Sequence, residues 1–457
     1  MDLSKYQKDE STYEGTCEKA IIIESIEDII QAVQNEKYIT CQGARTGLTG
    51  AGLPTKGCVL DFEKWAGKTK EKEERGDHLT FASGTTLADI QKEVHKTMPD
   101  CFFAPDPTEE TATIGGMFST NAKGPLCYKY GATSDHIEAV KVITAKGQTL
   151  DISRNITEKA LEKALPGRDF IQLLSGKEGE LFVIAECTIR VLPKPKYQWH
   201  LFLFFETENM AEGFLKDLLQ QEDNGTIVSL AGVDYIDSGS LKTMREYLGI
   251  QDQKSMGFTL PEEARGAVYL ILHDDNDPEG DLETILMLTE KYAVSHEDWV
   301  WAADTEYEID RFKQYRHLLQ EAINFKIRTI FHRIGYNGLT AIDLTGDHVS
   351  AEDIIRIVRN TIDGTIPFAL CSHFGNKEVT VFFLPENEKE ADILNEKLGE
   401  WVQQFRKAQI IAANGFGIGK QGGNYIRALS KEETVSEKQF LKKYFDPQNK
   451  FNVGNSF

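Results

Sequence analysis

The stretch QGARTGLTGAGLPTKG, residues 42–57, decides how the first third of this chain is read. Five of the fifteen residues from Gly43 to Gly57 are glycine, where average usage of about 7% gives roughly one. A glycine run behind a strand-like segment (Tyr38–Cys41, YITC) exposes successive backbone N–H groups with no Cβ in front of them. That arrangement cradles an anion such as a diphosphate. The same run also suits an ordinary surface loop, and the glycines alone do not separate the two. No Gly-Lys-Ser/Thr follows, so it is not a P-loop, and it lacks the G-x-G-x-x-G turn of nicotinamide-dinucleotide binders.

Outward from this loop, short strands and helices alternate. Ala20–Ile23, Val59–Phe62 and Leu79–Ala82 read as further strands, and Ser25–Glu36 as a helix opened by a serine cap. Thr86–His95 reads as a second helix, and Val140–Thr144 with Gln148–Ile152 as a hairpin turning at Lys146-Gly147. Glu186–Leu192 precedes Pro193-Lys194-Pro195, a stiff break that suits a domain boundary. Beyond it the texture changes. His200–Phe205, Val268–His273, Phe368–Cys371 and Val379–Leu384 are strand-like, while Met210–Gln221, Leu282–Tyr292 and Ile309–Ile327 are helix-like. This is the pattern of an α+β domain with an antiparallel sheet. The end, Phe440–Phe457, reads as a docked segment rather than a free helix.

Two more glycine turns lie in the first region. PDPTEETATIGGMFSTNAKG (Pro105–Gly124) places Ile114-Gly115-Gly116 ahead of Asn121, and GKEGELFVI (Gly176–Ile184) sets a Gly-x-Glu-Gly turn before a strand. With these the chain resembles the FAD-binding proteins of the vanillyl-alcohol-oxidase (PCMH-type) superfamily, in the D-lactate/glycolate/D-2-hydroxyglutarate dehydrogenase branch. The ordered set carries the resemblance: the Gly43–Gly57 loop, Pro105-Asp106-Pro107, Ile114-Gly115-Gly116 with Asn121, Tyr130-Gly131, Gly176–Ile184, and DPQNKFNVG (Asp446–Gly454). It implies an α+β protein with a two-subdomain PCMH-type FAD-binding domain over residues 1–196. An α+β cap with an antiparallel sheet would follow over 197–412, and 413–457 would return to the first domain. The resemblance implies FAD bound by Gly43, Ala44, Arg45, Thr46, Gly47, Leu48, Pro105, Asp106, Thr113, Gly115, Gly116, Asn121, Gly179, Val183, Ile184 and Asn452. Attachment would be non-covalent, since no histidine occurs in Cys41–Gly52. Two positions depart from the family. Arg45 stands where glycine is common, and would either pair with the diphosphate or face solvent; Phe182 also replaces a glycine.

The catalytic elements depart further. The branch carries His-x-Gly-Asp-Gly-Asn-x-His and Glu-His-Gly-x-Gly, whose two histidines and glutamate hold a divalent metal and whose last histidine takes the hydroxyl proton. Here they read HFGNKEVT (His373–Thr380) and ANGFG (Ala413–Gly417). His373 remains, while Thr380, Ala413 and Asn414 occupy the other places. One imidazole does not make a site for Zn²⁺ or Mn²⁺, so no metal is expected. Asn414 can orient a substrate but has no basic lone pair to deprotonate it. Arg316, within FKQYRHLLQEAIN (Phe312–Asn324), resembles the family's carboxylate-binding arginine and reads equally as a surface cation on a charged helix. His373 is the candidate base, with His332, Arg333 and Tyr336 as further bases or donors.

The 457 residues carry 51 Lys+Arg against 72 Asp+Glu, a formal charge of −21. That balance excludes a nucleic-acid binder and disfavours anionic lipid. The seven cysteines form no C-x-x-C pair, the N-terminus MDLSKYQKDESTYEG is polar, and no apolar run spans a bilayer. The expectation is a cytoplasmic protein with no membrane span, compatible with a homodimer. The expected function is oxidation of a small 2-hydroxy acid by hydride transfer to flavin N5, with an electron acceptor that the sequence does not name. Two alternatives stay open: an FAD enzyme acting without metal on another alcohol-type substrate, and a non-catalytic FAD-binding electron-transfer subunit. An anionic cofactor and a carboxylate substrate must bind against the overall charge, so binding rests on local amides and a few cations such as Arg316.

Overall fold

The computed structural model describes the chain except Met1 and residues 70–75, 155–158, 251–258, 293–296, 347, 374–376, 414–417, 421–424, 426–427, 431 and 456–457. Chain contacts divide it into two units: Met1–Lys123, Gly131–Lys194 and Asn414–Phe457 form the first, and Gly124–Tyr130 with Pro195–Ala413 the second.

In the first unit, β1 (Lys19–Ile22), β3 (Cys58–Asp61) and β2 (Ile39–Gln42) make a parallel sheet in that spatial order. α1 (Ile26–Asn35) links β1 to β2. It starts where the Ser25 hydroxyl accepts from Asp28 N at 3.1 Å, and it buries Ile29, Ala32 and Val33 at helical spacing. A second, antiparallel sheet runs β4 (His78–Ala82), β8 (Val183–Arg190), β6 (Ile137–Ile143), β7 (Thr149–Ser153). β8 is buried at seven of its eight residues, so VIAECTIR lacks the alternation of a half-exposed strand. A core including Phe81, Phe118, Val140 and Phe170 draws on α2 (Leu87–Thr97), α3 (Ile114–Thr120), α5 (Lys159–Ala164) and α6 (Phe170–Leu174). A short ladder joins β5 (Cys101–Phe102) to β9 (Leu192–Pro193).

The final helix, α13 (Glu432–Phe445), brings Leu441 and Phe445 into that core. Phe445 meets Phe182 edge-on at 5.1 Å, so Phe182, where the resembled family has glycine, serves as an anchor for this helix. The docked tail anticipated over Phe440–Phe457 therefore begins only after Phe445; charged residues in SEKQFLKKYF dilute the apolar stripe that marks the helix. Past it, Ile39 N donates to Lys450 O at 3.0 Å and Asn452 N to Ile39 O at 2.8 Å, seating the tail on the free edge of β2.

The second unit is built on one eight-stranded antiparallel sheet. Its order is β13 (Val300–Ala303), β10 (Tyr197–Phe205), β12 (Gly266–Asp274), β11 (Leu230–Ile236), β15 (Phe368–His373), β16 (Glu378–Phe383), β14 (Ala341–Thr345), β17 (Ile411–Ala412). α8 (Ser238–Ile250) and α10 (Glu306–Ile334) cover the face that carries Phe202, Tyr269 and Ile236. α7 (Glu208–Asp223), α9 (Glu279–Lys291), α11 (Ala351–Ile362) and α12 (Glu388–Lys407) pack on the other. Residues 124–130, which the sequence reading leaves inside 1–196, belong with this unit. Their short helix α4 (Cys127–Tyr130) lies on β11, Lys129 Nζ donates to His273 O at 2.6 Å, and Tyr128 donates to Glu222. Among the described residues no helix is long and apolar enough to cross a membrane.

Candidate functional site

The glycine loop leaves the end of β2. Among the described residues, none accepts a hydrogen bond from the backbone N–H groups of Ala44 through Leu48. A side chain at Gly43 would put its Cβ 2.2 Å from Thr113 Oγ1, so glycine is what lets the loop approach the turn before α3. Thr113 caps that helix, accepting from Gly116 N at 3.3 Å, and Gly115 N donates to Ser83 O at 2.9 Å. The amides of Gly115 and Gly116 are therefore committed, and what they offer a ligand is the absence of a side chain. Asn121 ends α3 in the left-handed region (φ +52), its Oδ1 accepting from Ser134 N at 2.9 Å. Pro105 is buried and Asp106 half-buried in the loop before α3, while Val183 and Ile184 are buried on β8. Asn452 Nδ2 donates to Ala51 O at 2.8 Å and Glu178 O at 2.6 Å, tying the glycine loop to the turn at Gly179.

Arg45 sits at φ +64, a conformation that glycine adopts without strain. Its side chain does not face open solvent: it is 17% exposed and pairs with Glu63, and Nη1 donates to Gly43 O at 3.4 Å. Around the turns, Gln42 Oε1, Thr49 Oγ1, Ser83 Oγ and Asn452 Oδ1 are buried with no partner among the described residues. Amide donors without protein acceptors beside orphaned buried polar atoms fit a ligand such as FAD, whose diphosphate takes donors and whose hydroxyls bond to side-chain oxygens.

In the second unit the pairing of β11 with β15 sets Asp234 opposite His373. His373 Nδ1 lies 2.6 Å from Asp234 Oδ1, and Arg316 Nε, from α10, donates to Asp234 Oδ2 at 2.9 Å. The three side chains are 19%, 8% and 12% exposed. Burial works to raise the Asp234 carboxyl, but the charges of His373 and Arg316 outweigh it and hold the group below the usual carboxylate range. With Nδ1 turned to a carboxylate, the neutral imidazole keeps its basic lone pair on Nε2. The other two histidines of this sheet behave differently. Burial pushes His273 down to about 3 and His200 well below its ordinary value, and each meets a tyrosine hydroxyl, Tyr130 at 3.0 Å and Tyr269 at 2.5 Å.

Thr380 Oγ1 donates to Asp343 Oδ1 at 2.6 Å and Ala413 N to Asp343 O at 2.9 Å, so two of the altered catalytic positions make internal bonds. Asn414 lies outside the described residues. His332 and Arg333 are exposed on the last turn of α10, roughly 24 Å along the helix from Arg316 at 1.5 Å per residue. Tyr336 is buried with its hydroxyl on Leu339 O at 3.0 Å. None of these three joins the cluster. Among the described residues no three His, Cys, Asp or Glu side chains are grouped to hold a metal ion. Sequence reasoning missed Asp234. Its signal was a carboxylate inside LAGVDYI, a strand buried at every residue, where a charge survives only with partners.

A family model described as an FAD binding domain matches residues 20–153. Over 428 residues the chain is 26% identical to the glycolate oxidase subunit GlcD of Bacillus subtilis (strain 168), covering 92% of this chain and 83% of that protein. The chain is an FAD-dependent oxidoreductase. This FAD-dependent oxidoreductase is also 26% identical over 291 residues to a D-lactate dehydrogenase of Anaerostipes hadrus, spanning 62% of the chain and 57% of that relative. Its fold matches a solved alkyldihydroxyacetonephosphate synthase with a TM-score of 0.61 over 95% of the chain and 76% of that structure. At 15% identity that likeness speaks for fold alone. FAD is the cofactor of this oxidoreductase, and the matched span contains both the glycine loop and the α3 turn.

Proposed function

We propose that this enzyme oxidises the hydroxyl of a small 2-hydroxy acid of the D-lactate, glycolate or D-2-hydroxyglutarate type, with the second unit as the substrate domain. The Asp234–His373–Arg316 set carries this reading, because one carboxylate holds both a proton acceptor and a carboxylate-gripping cation. When bound, FAD would supply the two-electron acceptor for oxidation at the hydroxyl-bearing carbon. The residues that would hold it are Gly43–Leu48, the Thr113–Gly116 turn and Asn452. His373 Nε2 takes the hydroxyl proton, and Asp234 steadies the imidazolium through Nδ1–H. Arg316, tethered through Nε, is assigned the substrate carboxylate, which guanidinium recognises in bidentate fashion. The donor set His373, Thr380 and Ala413 does not fit the metal of the resembled branch, and no step runs through one.

A second reading keeps this proton chemistry but takes a neutral alcohol as substrate. The Asp234–Arg316 contact favours it, since part of the arginine's charge is already answered within the protein. Anaerobic mixing of the FAD-loaded enzyme with D-lactate, glycolate and D-2-hydroxyglutarate, with and without EDTA, separates the readings. Flavin bleaching by a hydroxy acid that is indifferent to EDTA is expected. Bleaching by neutral alcohols alone would transfer the conclusion to the second reading, and bleaching abolished by EDTA would overturn the metal-independent route.

A further inference from the structure

We infer that Lys420 and Glu178 form a clamp that positions the glycine loop for FAD, making Lys420 a positioning residue of the cofactor site. The reason lies in where the loop's hydrogen bonds go. Its amides from Ala44 to Leu48 have no acceptor among the described residues, and the bond from Leu53 N to Gly50 O, 3.1 Å, closes its far end. A loop that keeps its N–H groups for a ligand cannot use them to hold its own shape, so it has to be held by its carbonyls.

Lys420 does this. Its Nζ donates to Gly50 O at 3.1 Å, Leu53 O at 2.5 Å and Asn455 Oδ1 at 3.2 Å, the full donor complement of an ammonium. Its backbone N donates to Thr49 O at 3.0 Å. Glu178 grips the same segment from the other side. Its carboxylate accepts from Ile418 N, from Gly419 N at 3.0 Å and from Asn455 Nδ2 at 3.0 Å. Gly419 has φ +54, and a Cβ there would lie 2.1 Å from Thr49 O, so backbone meets backbone at this point. Three distant stretches, 49–53, 178 and 418–420, are thereby locked together with Asn455. Burial pushes the Lys420 ammonium down to about 8, and such a group persists where several acceptors surround it.

The test is FAD titration of apo-protein made from the full chain, paired with the melting temperature of that apo-protein. Lys420→Met is expected to raise the Kd for FAD at least about tenfold, about 1.4 kcal/mol, and to speed FAD release. Gly419→Ala is expected to act in the same direction, while Lys443→Ala, exposed on α13, leaves the Kd as it is. A purely architectural lysine would lower the apo-protein melting temperature and leave the Kd, measured well below it, unchanged. That result, or a wild-type Kd in Lys420→Met, would overturn the inference. Should Lys420→Met fail to accumulate folded, Glu178→Gln decides: it keeps the volume and removes the charge, a raised Kd supports the clamp, and an unchanged one refutes it.

Discussion

The two units prepare their binding groups in opposite ways. In the first, a run of backbone amides has no protein acceptor among the described residues, and the loop is secured through its carbonyls. In the second, Asp234, His373 and Arg316 are already joined to one another. A backbone nest can wait unpaired because neutral amides at a half-exposed loop cost little to leave open. Charged side chains in a buried strand cannot wait, so they are stored as an ion-paired set. The first site is therefore vulnerable to changes of shape, and the second to changes of charge.

Each half of that contrast can be broken separately. His373→Gln removes the base and leaves the shape, so the rate of flavin reduction by a hydroxy acid should fall about 10²–10⁴-fold in stopped flow, with FAD content intact. Full activity in this variant would remove His373 from the chemistry. Gly43→Ala changes shape alone. With its Cβ driven against Thr113 Oγ1, a loss on the order of 2 kcal/mol is expected, read as a reduced FAD-to-protein ratio after gel filtration. Full occupancy would show that the loop can relax without harm.

Acid should act on the second unit through a buried imidazole. His273 is held to about 3 when folded, against an ordinary value of 6.5, because burial penalises its charged form. The unfolded chain therefore takes the proton first. Stability is complete above pH 6.5 and is lost as the pH falls from there toward 3. His273→Gln should flatten that slope by up to about 1.4 kcal/mol per pH unit in calorimetry. An unchanged slope would place the acid sensitivity elsewhere. The smallest effect is expected at Arg45→Gly. Relief of the left-handed strain is worth about 1 kcal/mol. It is opposed by loss of a half-exposed ion pair to Glu63 worth less than about 1 kcal/mol. The melting temperature should move little, and upward; a marked fall would show that the Glu63 contact stabilises the loop.

The same contrast explains what could be read from the residues alone. The glycine loop, its flanking strands and the β6–β7 hairpin were legible because turns, caps and glycines act over a few neighbouring positions. β11 was not, since a strand buried on both faces shows no alternation. Nor was the Asp234–His373 pair, whose members are 139 positions apart and meet only through strand register. α10 was placed but ended early, at Ile327 rather than Ile334. Residues 124–130 carry too few positions for any period, so their membership of the second unit depends on packing alone. The partners of Glu178 and Lys420 lie 241 and 370 positions away, beyond the reach of any local pattern.

The tail on β2 also has a meaning in time. Thr55 Oγ1 donates to Val453 O at 2.6 Å across 398 positions of sequence. A ribosome makes this chain from the glycine loop toward the tail, and every residue of the second unit is made before residue 418. The loop can therefore be drafted early but not finished until residues 418–455 have emerged. Cofactor loading becomes a late event in the life of the polypeptide, open to chains whose synthesis has run past the clamp and closed to those that stopped short of it.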